Sequence, residues 1–185
     1  HPLSAKAAVA SLKKYISDER YNINLHDLMH NETEKLYLEL NDNNFPVHGT
    51  FSPDVLVKRV QKHEALTEIL LALMINGCYW GNDGHRKLWL RCLERIANPS
   101  GERSGLNIWL KLRFYPALLL LYGAGIASIA AEEYNTFSAL LSQVRIRDDI
   151  TEEPTIFHLN TVGVMEQTVG QKLPEMERHY TPVSD

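Results

Sequence analysis

The sequence predicts an all-α fold: an irregular or tetratricopeptide-like bundle of about 7–9 helices. Residues 114–131 read FYPALLLLYGAGIASIAA without one charge, and a second apolar helix, TFSALLSQV, follows a tight corner at residues 132–135. Elsewhere, apolar residues recur at helical spacing, so the other helices need a common partner to pack against. We therefore expect a buried helical hairpin, residues 106–143, at the centre of the bundle.

Length and composition bound the protein class. A chain of 185 residues is expected to form one domain over residues 1–185. Its composition, with 44% hydrophobic and 23% charged residues, excludes disordered and fibrous protein classes. The chain begins without Met and without a basic and then apolar leader. We expect a fragment of a longer protein, located in the cytoplasm. Cys78 and Cys92 are too few for a disulfide framework, so buried, reduced thiols are expected.

The N-terminal helices are defined by their caps. Ser4 is expected to begin a helix that runs to Ile16. Residues 21–25 alternate apolar and polar side chains like a short extended connector. A second helix is predicted from the capping box at Asn31, or already from Asn24, and a turn follows it at residues 41–46.

The clearest start signal precedes the longest helix. Ser52 is predicted as its cap, Pro53 as its first residue and Asp54 as the favourable charge at its positive end. The helix should run to about Asn76, with Gly77 as its C-cap.

The next helix is predicted from His85 to Ala97, with apolar residues on one face and basic residues on the other. Residues 98–105 form a loop by composition, the best candidate for mobility. Pro116 lies inside the apolar segment, and a proline in a helix interior removes a backbone hydrogen bond. We expect either a kink near Leu112 or two helices that meet there.

The C-terminal part is divided less clearly. Residues 145–149 are predicted as an exit loop. Residues 153–155 are predicted to open a short helix, residues 165–172 to form another and residues 173–175 to open a third.

The segment 114–131 is also long enough to be considered as a membrane span, since about 17–25 apolar residues cross a bilayer. Pro116, Gly123 and Gly125 dilute its hydrophobicity, and the amphipathic helices need a buried partner. We therefore expect a buried core helix and no membrane.

His26 and His30 stand four residues apart, on one face if their segment is helical, with Glu34 one turn further. Two such imidazoles can bind zinc. A hydrolytic zinc helix would carry Glu directly after the first His, and Asp27 occupies that position. Solvated or hydrogen-bonded histidines are therefore favoured, and no metal site is assigned.

A basic stripe is formed by Arg86, Lys87, Arg91 and Arg95. Three further cations are candidates for an extension of this stripe: Lys58, Arg59 and Lys62. Such a stripe can contact phosphates. Glu94 interrupts it, and no known nucleic-acid-binding motif accompanies it. A solvated face or a protein contact is favoured, with nucleic-acid binding as the alternative.

The remaining motifs point away from catalysis. Gly123 and Gly125 lie inside an apolar helical run, where a phosphate loop would need a strand-to-helix junction. The paired carboxylates are adjacent in sequence rather than convergent. We expect no catalytic residue and no cofactor.

The run RFYPALLLLY at residues 113–122, with GIA at 125–127, YNT at 134–136 and YWG at 79–81, carries a family resemblance. The chain resembles helical C-terminal regions of large bacterial proteins with a sirtuin-like or Schlafen/AlbA-like N-terminal domain. The resemblance implies an accessory module that docks, senses or oligomerises for an activity located elsewhere.

These observations together predict a non-catalytic interaction or regulatory module. Its expected partner is another protein, another domain of the same chain or a second copy. The alternative is a nucleic-acid-binding helical domain that uses Arg86, Lys87, Arg91 and Arg95.

Overall fold

The computed structural model describes residues 4–147 and 152–154, together with Leu159 and Val164. Its elements are, in chain order, α1 (Ala5–Ile16), a 3₁₀ turn (Glu19–Tyr21), α2 (Asn22–Glu39), α3 (Pro53–Trp80), α4 (Arg86–Ala97), α5 (Asn107–Leu112), α6 (Tyr115–Ala130), α7 (Tyr134–Ser142), β1 (Arg145–Arg147) and β2 (Glu152–Pro154). The described part is mostly helical, which confirms the predicted all-α class.

The caps predicted for α1 and α3 are confirmed. The Ser4 hydroxyl accepts a hydrogen bond from the Ala7 amide at 3.2 Å. The Ser52 hydroxyl accepts one from the Val55 amide at 3.2 Å, and Pro53 is the first residue of α3. These side chains satisfy amides that have no partner within the helix, which fixes where each helix begins.

Helix α2 begins at Asn22, nine residues before the predicted capping box, so the extended connector at 21–25 and the start at Asn31 are wrong, whereas the alternative start near Asn24 is two residues late. The buried face of α2 explains the difference. Leu25, Met29, Thr33 and Leu36 recur at helical spacing and are all buried, so the apolar stripe continues upstream of Asn31.

Gly77 lies inside α3, which continues to Trp80, so the predicted C-cap is wrong. A Cβ atom at Gly77 would lie 2.8 Å from the Trp89 ring of α4. The glycine therefore permits the close approach of a buried indole and does not end the helix.

The predicted break before Pro116 takes the form of two helices that meet. Helix α5 ends at Leu112 and α6 begins at Tyr115, which places Pro116 in the first turn of α6. A proline there interrupts no hydrogen bond within the helix, because the first-turn amides have no helical partner.

Helices α3 and α6 form the centre of the core and run parallel. Tyr115 donates a hydrogen bond to Glu64 at 2.7 Å, Gly123 lies against Leu71, and Cys78 lies near Ser128. These three contacts advance in the same direction along both helices. The predicted buried segment is thus central, and α6 packs more extensively on α3 than on α7, its expected hairpin partner.

The span Asn107–Ala130 is the one helical stretch, among the described residues, that has the length and composition to cross a membrane. Within its most apolar window, 72% of the residues are buried inside the fold. This burial agrees with the expected core helix.

The loop at residues 98–105 is anchored at several points. Arg113 donates hydrogen bonds to the Asp42 carboxylate and to the Glu102 carbonyl. The Glu102 amide donates to Asp42 at 2.8 Å, and the Leu106 amide donates to the Val47 carbonyl at 2.9 Å. The loop conformation is therefore fixed by the segment that joins α2 to α3.

The exit region contains a short antiparallel ribbon, in which Arg145 pairs with Pro154 and Arg147 with Glu152. The predicted loop at 145–149 is wrong over residues 145–147, and the helix predicted to open at 153–155 is wrong at residues 153 and 154, which belong to β2. Asn98 fixes β1, because its side chain donates to the Arg145 carbonyl at 2.9 Å and accepts from the Arg147 amide at 2.8 Å. The helices predicted at 165–172 and 173–175 lie outside the described residues.

His63 is a buried imidazole on α3. It stacks on Phe45 with ring centroids 3.8 Å apart, and its Nδ1 atom has no hydrogen-bond partner in the described structure. Burial, with smaller contributions from the positive charges of Arg59 and Lys62, lowers the pKa of His63 to about 3.

We expect Gly77→Ala and Gly125→Ala to change stability in opposite directions. Both positions gain about 0.5–1 kcal/mol in helix propensity. At Gly77 the new methyl overlaps the Trp89 ring, and overpacking costs about 1–3 kcal/mol, so the free energy of unfolding should fall. At Gly125 the methyl would lie 3.5 Å from Phe137, an ordinary contact. Urea unfolding measures both variants, and equal effects would contradict the described α3–α4 contact.

Acid should destabilise the fold through His63. Between its folded pKa of about 3 and its ordinary value near 6.5, the unfolded chain binds a proton that the folded chain does not. The free energy of unfolding should therefore fall by about 1.4 kcal/mol for each pH unit below 6.5. His63→Leu, which cannot titrate, should remove this part of the pH dependence in urea titrations at pH 6.5 and pH 5. An unchanged pH slope in the variant would show that His63 is not buried in its neutral form.

Candidate functional site

A concave site lies in a groove between α2 and α4, with a volume of about 430 Å³. We call it the α2/α4 groove. Its lining residues are His26, Asp27, His30, Thr33, Glu34, Leu88, Arg91, Cys92 and Arg95.

Helices α2 and α4 run parallel on either side of this groove. His26 lies close enough to His85 to influence its pKa, Thr33 lies beside Cys92, and Glu34 binds Arg95. The register brings the histidine pair and part of the basic stripe into one site. The sequence patterns treat these two features separately.

One end of the groove is closed by Arg95. Its guanidinium donates to both carboxylate oxygens of Glu34, at 2.7 and 2.9 Å, and lies 3.5 Å from the Tyr37 ring centroid. The hydrogen bonds lower the pKa of Glu34 and raise that of Arg95. Both charges are partly exposed, so the pair contributes modestly to stability. Its clearer effect is to hold Arg95 in one position.

The basic stripe is divided by these contacts. Arg86 pairs with Asp83 at 3.2 Å, and Arg95 pairs with Glu34. Within the described part of the chain, Lys87 and Arg91 make no hydrogen bond or ion pair. Both side chains are exposed, and Arg91 lines the groove.

The suggested extension of the stripe lies apart from it. Arg59 donates to the Pro46 carbonyl at 2.7 Å and stacks on Trp109, and burial lowers its pKa. Lys62 donates to the Asn44 side chain at 3.0 Å. Both cations therefore hold the segment between α2 and α3, on contacts that do not involve α4.

His26 and His30 lie on the α2 side of the groove, together with Asp27 and Glu34. Glu34 is engaged by Arg95. Over residues 4–147 and the few described beyond, no group of three His, Cys, Asp or Glu side chains is placed to hold a metal ion. The arrangement therefore offers imidazole hydrogen-bonding groups rather than a complete ligand set.

The floor of the groove is formed by Thr33, Leu88 and Cys92. Thr33 is 4% exposed, and its hydroxyl has no hydrogen-bond partner of normal geometry in the described structure. Burial raises the pKa of Cys92 to about 11, and the neighbouring Thr33 hydroxyl acts in the opposite direction. Cys92 is therefore a protonated, buried thiol, as is Cys78, whose pKa burial raises to about 12. The expected burial of both cysteines is confirmed, and the two are not joined in a disulfide.

Sequence reasoning did not identify Thr33 as part of a site. Its signal was present in the stripe of Leu25, Met29 and Leu36, where Thr33 is the one polar member. A hydroxyl at a core position is a recognisable exception once the helix is extended upstream of Asn31.

A second surface feature is an apolar ridge at the C-terminal ends of α3 and α6. We define the apolar ridge as Ile75, Tyr79, Trp80, Ile126 and Ile129, all exposed. Ile75 lies against Gly123 of α6, and the Tyr79 and Trp80 rings pack edge to face with centroids 4.8 Å apart.

Comparisons of this chain with protein-family models, with curated proteins and with solved structures gave no match.

Proposed function

We propose that the chain is a non-catalytic helical interaction module of a larger bacterial protein in the cytoplasm, and that it contacts protein through the apolar ridge. The observation that carries this proposal is the exposure of five large apolar side chains near the C-terminal ends of two helices that pack on each other, with Trp80 57% and Ile126 55% exposed. Single exposed apolar residues are normal on a protein surface, whereas a contiguous group marks a contact site.

The occupant that fits the apolar ridge is a second copy of the chain. Lys13 of α1 lies over the Trp80 ring, 5.4 Å from its centroid, at one edge of the ridge. Exposed Glu132 follows Ile129 by three residues, just beyond the end of α6. A two-fold axis through the ridge would bring each Lys13 near the Glu132 of the partner copy, while the apolar side chains face each other.

Helix α2 runs parallel to α4, and α3 runs parallel to α6. These two parallel pairs support a more specific proposal for the arrangement of the helices. In stacked helical pairs, equivalent helices of successive pairs run parallel. We propose that the bundle of about 7–9 helices is tetratricopeptide-like in this sense. Such an arrangement agrees with the resemblance to helical accessory regions beside sirtuin-like or Schlafen/AlbA-like domains.

Nucleic-acid binding by Arg86, Lys87, Arg91 and Arg95 is the weaker alternative. A phosphate backbone would have to compete with Asp83 for Arg86 and with Glu34 for Arg95. That leaves Lys87 and Arg91, and phosphate contacts must be several to give useful affinity at physiological salt.

We expect the wild-type chain to form a concentration-dependent dimer in sedimentation velocity. Ile126→Glu should weaken the dimer at least about tenfold, because it places a charge in an apolar contact. Ile23→Glu is the matched control, since Ile23 is 75% exposed on α2 and lies outside the apolar ridge. It should dimerise like the wild type.

The ionic part of the contact can be tested separately. Lys13→Glu and Glu132→Lys should each weaken the dimer, and the double variant should recover it because the charges are exchanged. A wild-type chain that stays monomeric at all concentrations, or a dimer insensitive to Ile126→Glu, would contradict self-association through the ridge.

A further inference from the structure

We propose that the α2/α4 groove binds a small amphiphilic anion, namely a carboxylate or a phosphate monoester carried on an apolar body. No residue of the apolar ridge lines this groove. The inference therefore stands independently of the proposed function.

Arg91 is the available cation of the groove. It stands one helical turn from Arg95, whose guanidinium is occupied by Glu34 and Tyr37. Arg91 itself is exposed and, across the described residues, has no acidic partner. A guanidinium presents parallel N–H donors that match the two oxygens of a carboxylate or phosphate.

The opposite side of the groove supplies further hydrogen-bonding groups. His26 and His30 lie one turn apart on α2 and line the same groove as Arg91. An imidazole offers one N–H donor even in its neutral form, so both rings can contact the oxygens of an anion. The Arg91 guanidinium and these rings thus form a polar rim on both helices.

The acidic residues limit how much negative charge the groove accepts. Glu34 is neutralised by Arg95, and Asp27 lines the α2 side without an ion pair among the described residues. Asp27 would repel an extended polyanion such as a nucleic-acid backbone. A ligand with one anionic group avoids this repulsion.

The floor favours a ligand that also has an apolar part. Leu88 and Cys92 are buried apolar surfaces there, and Thr33 presents a buried hydroxyl that lies beside the Cys92 thiol and has no hydrogen-bond partner of normal geometry in the described structure. Buried polar groups are normally satisfied, and each exception calls for an explanation. The hydroxyl oxygen has almost no accessible surface, so a ligand atom at the floor would bind it after a small rotation of the Thr33 side chain toward the groove. The volume of about 430 Å³ falls within the range of small-molecule sites.

The test is an NMR titration of the intact chain with phenyl phosphate, benzoate and benzamide. The two anions should give saturable shifts in the His26 and His30 ring signals and in the Arg91 side-chain N–H signal. Benzamide carries the same ring without the charge and should bind at least about tenfold more weakly. If phenyl phosphate binds more tightly than benzoate, the ligand class is a phosphate monoester. If benzoate binds more tightly, it is a carboxylate.

Three variants make the test specific. Arg91→Gln should weaken anion binding about tenfold or more, whereas Lys87→Gln, one turn earlier on α4 and outside the groove, should leave it unchanged. Thr33→Val keeps the side-chain shape, so it should lower the affinity without lowering the melting temperature, which separates a ligand contact from a structural role.

Three results would overturn the proposal. The first is the absence of saturation with either anion. The second is an equal loss of affinity in Arg91→Gln and Lys87→Gln, which would indicate non-specific attraction by positive charge. The third is binding of benzamide as strong as that of benzoate, which would show that the groove does not recognise the anion.

Discussion

The parallel packing of α6 along α3 is the constraint on which the rest of the structure depends. Twelve of the residues of α6 are buried, including every residue from Tyr115 to Leu121. Gly123 brings the two helices together, because a Cβ atom there would lie 2.6 Å from Leu71. A helix that is apolar on all sides must be surrounded by other helices. α1 also packs on α3, and α4 and α7 pack on α6.

This central pair determines which surfaces remain exposed. Near the C-terminal ends of both helices, Ile75, Tyr79 and Ile129 stay exposed and form part of the apolar ridge. The Trp89 ring of α4 packs on Gly77 of α3, which sets the position of α4 and thereby its parallel register with α2. The α2/α4 groove is therefore a consequence of how α4 is held on the core.

Local signals identified the elements, and tertiary contacts decided what local signals could not. Ser4, Ser52 and Pro53 were sufficient to place two helix starts, since capping is a property of neighbouring residues. Gly77 was wrongly predicted as a C-cap, because a glycine is required there by the close approach of Trp89, a residue from another helix. The α2/α4 groove was not predictable for the same reason, since it depends on contacts between residues far apart in the sequence. His30 and Arg91 belong to separate sequence patterns, and the register of α2 on α4 depends on packing.

Hydrogen exchange under native conditions tests the central role of the α3–α6 pair most directly. Amides that exchange only through global unfolding mark the most stable cooperative unit of a protein. The slowest amides should lie in the facing segments of α3, around Leu70–Met74, and of α6, around Leu118–Ala124, with similar opening free energies. Exchange in α6 that is as fast as in the outer helix α1 would contradict the account.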